Sequence, residues 1–262
     1  LGSAPEYTQQ IKLGTLAMGL VTSGQMQEYV KQYGIIEAPF LFSSLQQAHK
    51  GLDGPAGDQL AALAKQQGFI ILSNWEWGFR QITNSVRPIQ EPADMKGLKM
   101  RVPSEFQIQD MMKALGASTD TIAFPELYTA LAQKVVDGQD NPVQTIFDQH
   151  FYEVQKYLAI TNHAYNTQML VMSQHAWNSL SAQEQQVFMN ASKRAGDLVR
   201  NLDEQQQSSE ITQMQQTGMV VTHPDLAAFR KAVQPADQQV YDYVGDAFAQ
   251  KFVAEVEAAA GQ

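Results

Sequence analysis

Gly97-Leu98-Lys99-Met100-Arg101-Val102-Pro103, followed by Phe124-Pro125-Glu126-Leu127-Tyr128-Thr129-Ala130-Leu131 and Val136-Asp137-Gly138-Gln139-Asp140-Asn141-Pro142, decides how this chain is read. The first stretch is a strand that carries an arginine. The second reads as an amphipathic helix over residues 125–134, with proline near its start. The third opens as a short strand over residues 135–138 and sets an asparagine on a turn punctuated by glycine and proline. Strand and helix in alternation predict an α/β lobe whose ligand groups gather at the carboxyl ends of the strands. An arginine and an amide there suit a carboxylate, because the guanidinium fork gives two parallel charge-assisted bonds and the amide both donates and accepts.

Working outward, residues 105–115 carry apolar side chains at helical spacing, and residues 117–123 read as the returning strand. Upstream, the apolar run Phe69-Ile70-Ile71-Leu72 has strand character and continues through Trp75-Glu76-Trp77-Gly78-Phe79-Arg80-Gln81-Ile82-Thr83, a stretch long enough to cross between two lobes. Before it lie two helices separated by Gly51-Leu52-Asp53-Gly54-Pro55, a loop over residues 22–25, a buried strand over 16–21 and a short helix over 3–12. Downstream, residues 147–157 read as helix, and residues 158–161 and 168–173 as strands. Ser181 and Glu184 form a capping box that opens a helical composition lasting to Gly218. Ordinary globular helices run about 8–20 residues, so this one either kinks or spans both lobes. Val220 and Val221 suggest a last strand, and residues 226–260 suggest terminal helices.

Composition narrows the partners. The 262 residues carry a formal charge of −9 without any dense Lys/Arg run, which argues against nucleic acid and against anionic membrane surfaces. An anionic ligand must be met locally. Cysteine is absent, which excludes disulfides, thiolate metal sites and a cysteine nucleophile. No apolar run reaches the roughly 18 residues of a membrane span. Leu1 opens on the turn before a helix, so a further N-terminal portion is expected ahead of it and any signal peptide is expected to have been removed.

Catalytic and metal-binding signals are weak. The histidines at 49, 150, 163, 175 and 223 show no ligand spacing, and no GxSxG elbow occurs. His163 reads as a structural hydrogen-bonding residue. Asp137 and Asp140 lack the spacing of a calcium loop, and Glu126 falls in a helical first turn, where it complements the dipole. No metal, no cofactor and no enzymatic chemistry are expected.

Taken in order, Pro39-Phe40-Leu41-Phe42, Gly78-Phe79-Arg80, Thr83-Asn84-Ser85 with Arg87-Pro88-Ile89, residues 97–103, Glu126-Leu127-Tyr128-Thr129-Ala130-Leu131, residues 137–142, and Glu153-Val154-Gln155-Lys156-Tyr157-Leu158 with His163 carry a family resemblance. Over nearly its whole length the chain resembles the solute-binding proteins of tripartite ATP-independent periplasmic (TRAP) transporters, of the DctP type. The resemblance implies a two-lobed α/β clamshell with a long helix across both lobes. It also implies an opening strand, helix and strand ahead of Leu1. The lobes are expected as residues 1–78 with 167–206, and 79–166 with 207–262.

By position in that family, Arg101 is the arginine that pairs with the ligand carboxylate, and Asn141 is its amide partner. Arg80 is a second ligand contact or half of an interlobe ion pair. Phe124 and Trp77 supply apolar or stacking walls, and Ser104 and Gln168 polar contacts. The implied protein is a periplasmic monomer that captures an organic acid by cleft closure and delivers it to TRAP membrane permease subunits. Trp75-Glu76-Trp77 and the extra arginine favour a sugar acid such as a uronate or aldonate. A C4-dicarboxylate, a keto acid or an aromatic acid is the alternative ligand, and a sensor of the same fold the alternative role.

Overall fold

The computed structural model describes residues 2–260. The chain opens with helix α1 (Ala4–Leu13), strand β1 (Met18–Thr22) and the short helix α2 (Ser23–Met26). Residues 22–25 were expected as a loop, but Thr22 and Gln25 cap each other reciprocally, which closes a helical turn there. A 3-10 segment (Lys31–Glu37) leads to α3 (Leu45–Leu52) and α4 (Pro55–Gln66), the two helices that the breaker residues predicted.

Strand β2 (Phe69–Asn84) is the backbone of the molecule, 16 residues long. Its first part, from Phe69 to Phe79, pairs antiparallel with β7 (Tyr165–Ser173), whose other edge pairs with β1. Its last part, from Arg80 to Asn84, pairs with β5 (Gly138–Pro142) on one side and, from Ile82, with β6 (Tyr157–Ala159) on the other. A bulge between Glu76 and Gly78 marks the hand-over, and Gly78 sits at φ 102°, a conformation that side chains with a Cβ rarely adopt. The strand therefore passes from one sheet segment into the next, as the long extended stretch foretold.

The second segment runs β4 (Ser118–Thr121), β3 (Lys99–Val102), β5, β2, β6 and β8 (Val220–Thr222), with β4, β3 and β5 parallel. Helices α5 (Phe106–Ala114) and α6 (Leu127–Ala132) alternate with these strands. Two local expectations change. Residues 135–137 precede the strand, which starts at Gly138. Residues 147–157 are not one helix: α7 (Val143–Asp148) starts directly after Pro142, and His150 at φ 55° breaks it before a 3-10 turn over Phe151–Glu153.

After α8 (Gln174–Asn178), helix α9 (Ala182–Gln216) runs unbroken for 35 residues from the capping box at Ser181. From Ser192 to its middle it is pinned to the first sheet segment: the Trp75 indole donates to the Ser192 carbonyl, and Arg200 pairs with Asp53 and donates to the Asn74 carbonyl. Near its end Met214 is buried with Leu127, Val143 and Phe151 of the second segment. The helix thus bridges the two sheet segments, with Phe188 and Met189 against Ile70 and Leu72 and Met214 in the second segment's core, which explains a length its weak apolar pattern alone would not sustain.

Helix α10 (Leu226–Val244) divides its apolar residues. Phe229 and Val233 pack with Met100, Val102 and Ile108, whereas Val240 and Val244 join Ile35, Phe69 and Tyr165. Helix α11 (Asp246–Ala260) lies on α3 and α4, and Phe252 and Val256 sit in that same first cluster. Residues 245–260, expected with the second lobe, therefore pack on the first, because their apolar face meets Ala48 and Leu52 rather than β3.

Candidate functional site

Strand β3 carries Arg101 one residue before its end, where Pro103 stops the pairing and α5 begins shortly after. Met100 and Val102 fill the core, which turns Arg101 to the other face. There it is only 4% exposed. Its Nε donates to the Ile122 carbonyl at 2.9 Å. Among the described residues nothing accepts from its two terminal nitrogens, and no carboxylate comes within 4.0 Å. Burial, and then the nearby charge of Arg80, push the guanidinium down to about 10. A buried cation left without a counter-ion is expensive unless something else supplies the negative charge.

Arg80 stands at the point where β2 leaves β7 for β5, and its situation is the reverse. Nε and one terminal nitrogen reach the side chain and carbonyl of Asp140, and the other terminal nitrogen reaches Asn166 Oδ1 at 2.8 Å. Burial would lower its pKa, but Asp140's charge and hydrogen bond outweigh it. For Asp140, burial works toward the neutral acid, yet Arg80 and His163 hold it well below the usual carboxylate range. His163 Nε2 lies 3.1 Å from the same Asp140 oxygen and its Nδ1 lies 2.7 Å from Thr161 Oγ1. Burial keeps its pKa below the ordinary value despite Asp140, so a neutral ring donating from Nε2 and accepting at Nδ1 fits the network.

The network continues into the first lobe. Asn166 donates to Glu37 Oε1 at 2.8 Å, and Ser23 donates to the same oxygen at 2.9 Å. Glu37 is 1% exposed. Burial, helped by Glu105 and Asp140, pushes it up to about 8. Residues from α2, the 3-10 segment, β2, β5 and β7 are thereby held in one buried chain of polar contacts.

The other expected residues fall around this frame. Asn141 is 1% exposed and lies within β5, paired in register with Gln81, not on the turn expected for it. Proline at the last strand position needs no amide for the ladder, so Pro142 marks a strand end, not a loop. The Asn141 amide donates to Gln139 Oε1. Phe124 is 40% exposed, two residues beyond Ile122, its ring edge-on to Phe151. Ser104 is exposed at the entry to α5, and Gln168 is half-buried on β7 opposite Thr22.

Trp77 is not brought to this group. Its indole donates to Thr145 Oγ1 at 2.9 Å, and it lines a cavity of about 600 Å³ against α9, together with Glu76, Asp203 and Glu210. None of the other expected site residues lines that cavity. Among the described residues no cluster of His, Asp and Glu could hold a metal ion.

Residues 1–243 match the model of bacterial extracellular solute-binding protein family 7, DctP. The chain belongs to that family. It is 34% identical to the 2,3-diketo-L-gulonate-binding periplasmic protein YiaO of Escherichia coli, over 98% of this chain and 79% of that protein. It is 28% identical to the C4-dicarboxylate-binding periplasmic protein DctP of Rhodobacter capsulatus, over 98% of this chain and 77% of that protein. A TRAP periplasmic solute-binding protein from Polaromonas, solved with D-erythronate, superposes with a TM-score of 0.92 at 35% identity, covering 97% of this chain and 84% of that one. This DctP-family chain is a periplasmic solute-binding protein of the TRAP class and not an enzyme. No helix among the described residues is long and apolar enough to cross a membrane.

Asp140, Asn166 and Glu37 were not singled out as site residues from sequence. Asp140 offered a signal: the polar run Gln139-Asp140-Asn141 lies between apolar Val136 and Val143, which is the pattern of a buried polar strand. Glu37 and Asn166 offered none, since each is an isolated polar residue whose partner is remote in sequence.

Proposed function

We propose that this DctP-family protein captures a monocarboxylate sugar acid, an aldonate or uronate, and delivers it to TRAP membrane permease subunits. The observation that carries the reading is Arg101, buried at a strand end with both terminal nitrogens unclaimed, beside an Arg80 whose charge is already answered by Asp140. One vacant guanidinium fork matches one ligand carboxylate. The reading is supported by the D-erythronate bound by the Polaromonas relative and by the keto sugar acid named for YiaO.

In this scheme Arg101 anchors the carboxylate, and Arg80 holds the floor through Asp140 and Asn166 while offering its remaining N–H groups. Asn141 completes the polar face, Phe124 walls the ligand at the entrance, and Ser104 and Gln168 approach from the two sides. Closure follows by population shift, because a ligand that bridges both lobes prefers the closed arrangement. The lobes move about the bulged middle of β2, residues 76–79, and the chain works as a monomer.

A thermal-shift screen against aldonates, uronates, C4-dicarboxylates, keto acids and uncharged sugars tests the reading. At 100-fold excess over Kd a true ligand stabilises by about 2.7 kcal/mol. Stabilisation by neutral sugars alone, with no response to any acid, would remove the carboxylate anchor.

A further inference from the structure

We propose that Glu105 is the specificity residue of this anion site: its carboxylate receives ligand hydroxyls and turns away a second ligand carboxylate, so that hydroxylated monocarboxylates are taken and dicarboxylates refused. The inference rests on Arg101 as the anchor and adds the residue that reads the rest of the ligand.

Glu105 follows Arg101 by four positions and occupies the N-cap place of α5, yet its side chain makes no cap bond. It reaches across to α2 instead. A Cβ built on Gly24 would lie 2.0 Å from Glu105 Oε1 and 2.5 Å from its Cγ, so the carboxylate rests directly on the glycine backbone. Its other oxygen, Oε2, is buried and has no hydrogen-bond partner. Gly24 follows Ser23, which donates to Glu37, so Glu105 borders the same buried polar network, and its charge acts on Glu37, Arg80 and Arg101.

The charges around that space leave a simple remainder. Arg80 is neutralised by Asp140, with which it shares an ion pair and a backbone contact. Glu37 spends Oε1 on Ser23 and Asn166, and with its pKa pushed up to about 8 it is largely protonated at neutral pH. Arg101 and Glu105 remain, one cation and one anion without a direct partner. A single ligand carboxylate answers the first. An ionised carboxylate can only accept hydrogen bonds, so the second is answered by hydroxyl donors and opposed by another anion.

Calorimetry on the whole chain with D-erythronate, D-galactonate, D-glucuronate, succinate and malate tests this. The wild type is expected to bind at least one hydroxylated monocarboxylate about 100-fold more tightly than either dicarboxylate. Glu105→Gln keeps the shape and should cut that preference about ten-fold, weakening the sugar acid and strengthening the dicarboxylate. Gly24→Ala, whose methyl group displaces the Glu105 side chain, should move the ratio the same way. A ratio unchanged in both variants, or a wild type that prefers a dicarboxylate, overturns the role of Glu105. Arg101→Ala separates the two ideas: it should weaken binding of both ligand classes about 100-fold, and affinity kept near the wild-type level there, or no binding of either class by the wild type, overturns the anchor itself.

Discussion

Asp140 and Asp203 are both carboxyls drawn out of bulk water where β2 joins the two sheet segments, and they end in opposite states. Asp140 is completely buried but meets Arg80 and His163, which hold it well below the usual carboxylate range. Asp203 is only partly buried, on α9, and lines the cavity that also holds Glu76 and Glu210. No cation forms an ion pair with it among the described residues: His49 is taken by Glu76, and Arg200 by Asp53. Burial, with Glu76, Glu210 and Asp148, pushes it up to about 7. Depth of burial does not set the charge; the partner does. Around Arg80 pairing holds Asp140 charged, whereas Asp203 on α9 gives up its charge near neutral pH.

The largest test of this contrast is Asp140→Asn. It leaves Arg80 buried without its counter-ion, and stability should fall by about 3–5 kcal/mol in denaturant unfolding at pH 7. Because the folded-state pKa of Asp140 is depressed, the wild-type advantage is present above the ordinary 3.8 and is lost only as pH falls below it. A loss under about 1 kcal/mol would mean that Asn166 and Glu37 alone satisfy Arg80.

Arg101→Ala should act on binding instead of folding. Removing the anchor should cost about 3 kcal/mol of affinity for the sugar acid, near 100-fold in titration calorimetry. The melting temperature of the unliganded variant should hold or rise, since a buried cation without a direct partner has gone. A variant that is less stable than the wild type yet binds as tightly would reverse the roles given to Arg101 and Arg80.

Glu37 gives a pH signature on the cleft side. Its folded-state pKa, about 8, lies above the ordinary 4.5, so its stabilising contribution is complete below about 4.5 and is lost as pH rises through about 8. Glu37→Gln should therefore flatten the decline in stability between pH 5 and 9, by an amount on the order of a few kcal/mol. Parallel curves for variant and wild type would show that Glu37 titrates normally.

The smallest effect belongs to the α9 cavity. Asp203→Asn should match the wild type below the ordinary 3.8 and exceed it at pH 8 by less than about 1 kcal/mol, because solvent screens this half-buried group. A variant less stable than the wild type at pH 8 would mean that Asp203 has a cationic partner in solution.

Much of the fold was legible in order. Breakers at residues 51–55, the capping box at Ser181 and the alternation around Gly97-Leu98-Lys99-Met100-Arg101 each specify local geometry through nearby side chains, and the corresponding elements appear. Misreadings arose where one residue outweighed a pattern. His150 in the left-handed region divides a stretch that looks helical, and Gln25 folds back on Thr22 to make helix where a loop was read. Arg101 was singled out because its stretch matches the family's motif, and the strand, proline and helix around it are local features. Glu37 and Asn166 were not, because the bond between them joins residues 129 apart in sequence.

The sequence by itself determined the alternating strand-helix lobe, the long bridging helix and the family, since these rest on short-range spacing and on the order of motifs. It also determined that the strand before Pro103 would carry an arginine. Only the tertiary structure decided which arginine is left vacant. Arg80 and Arg101 look alike in the chain, and their difference comes from Asp140 on the strand next to β2, which reaches Arg80 and leaves Arg101 without a carboxylate in ion-pair range. Charge pairing in a buried site falls off over a few ångströms, so it is set by strand register and burial, quantities that no local stretch of sequence contains.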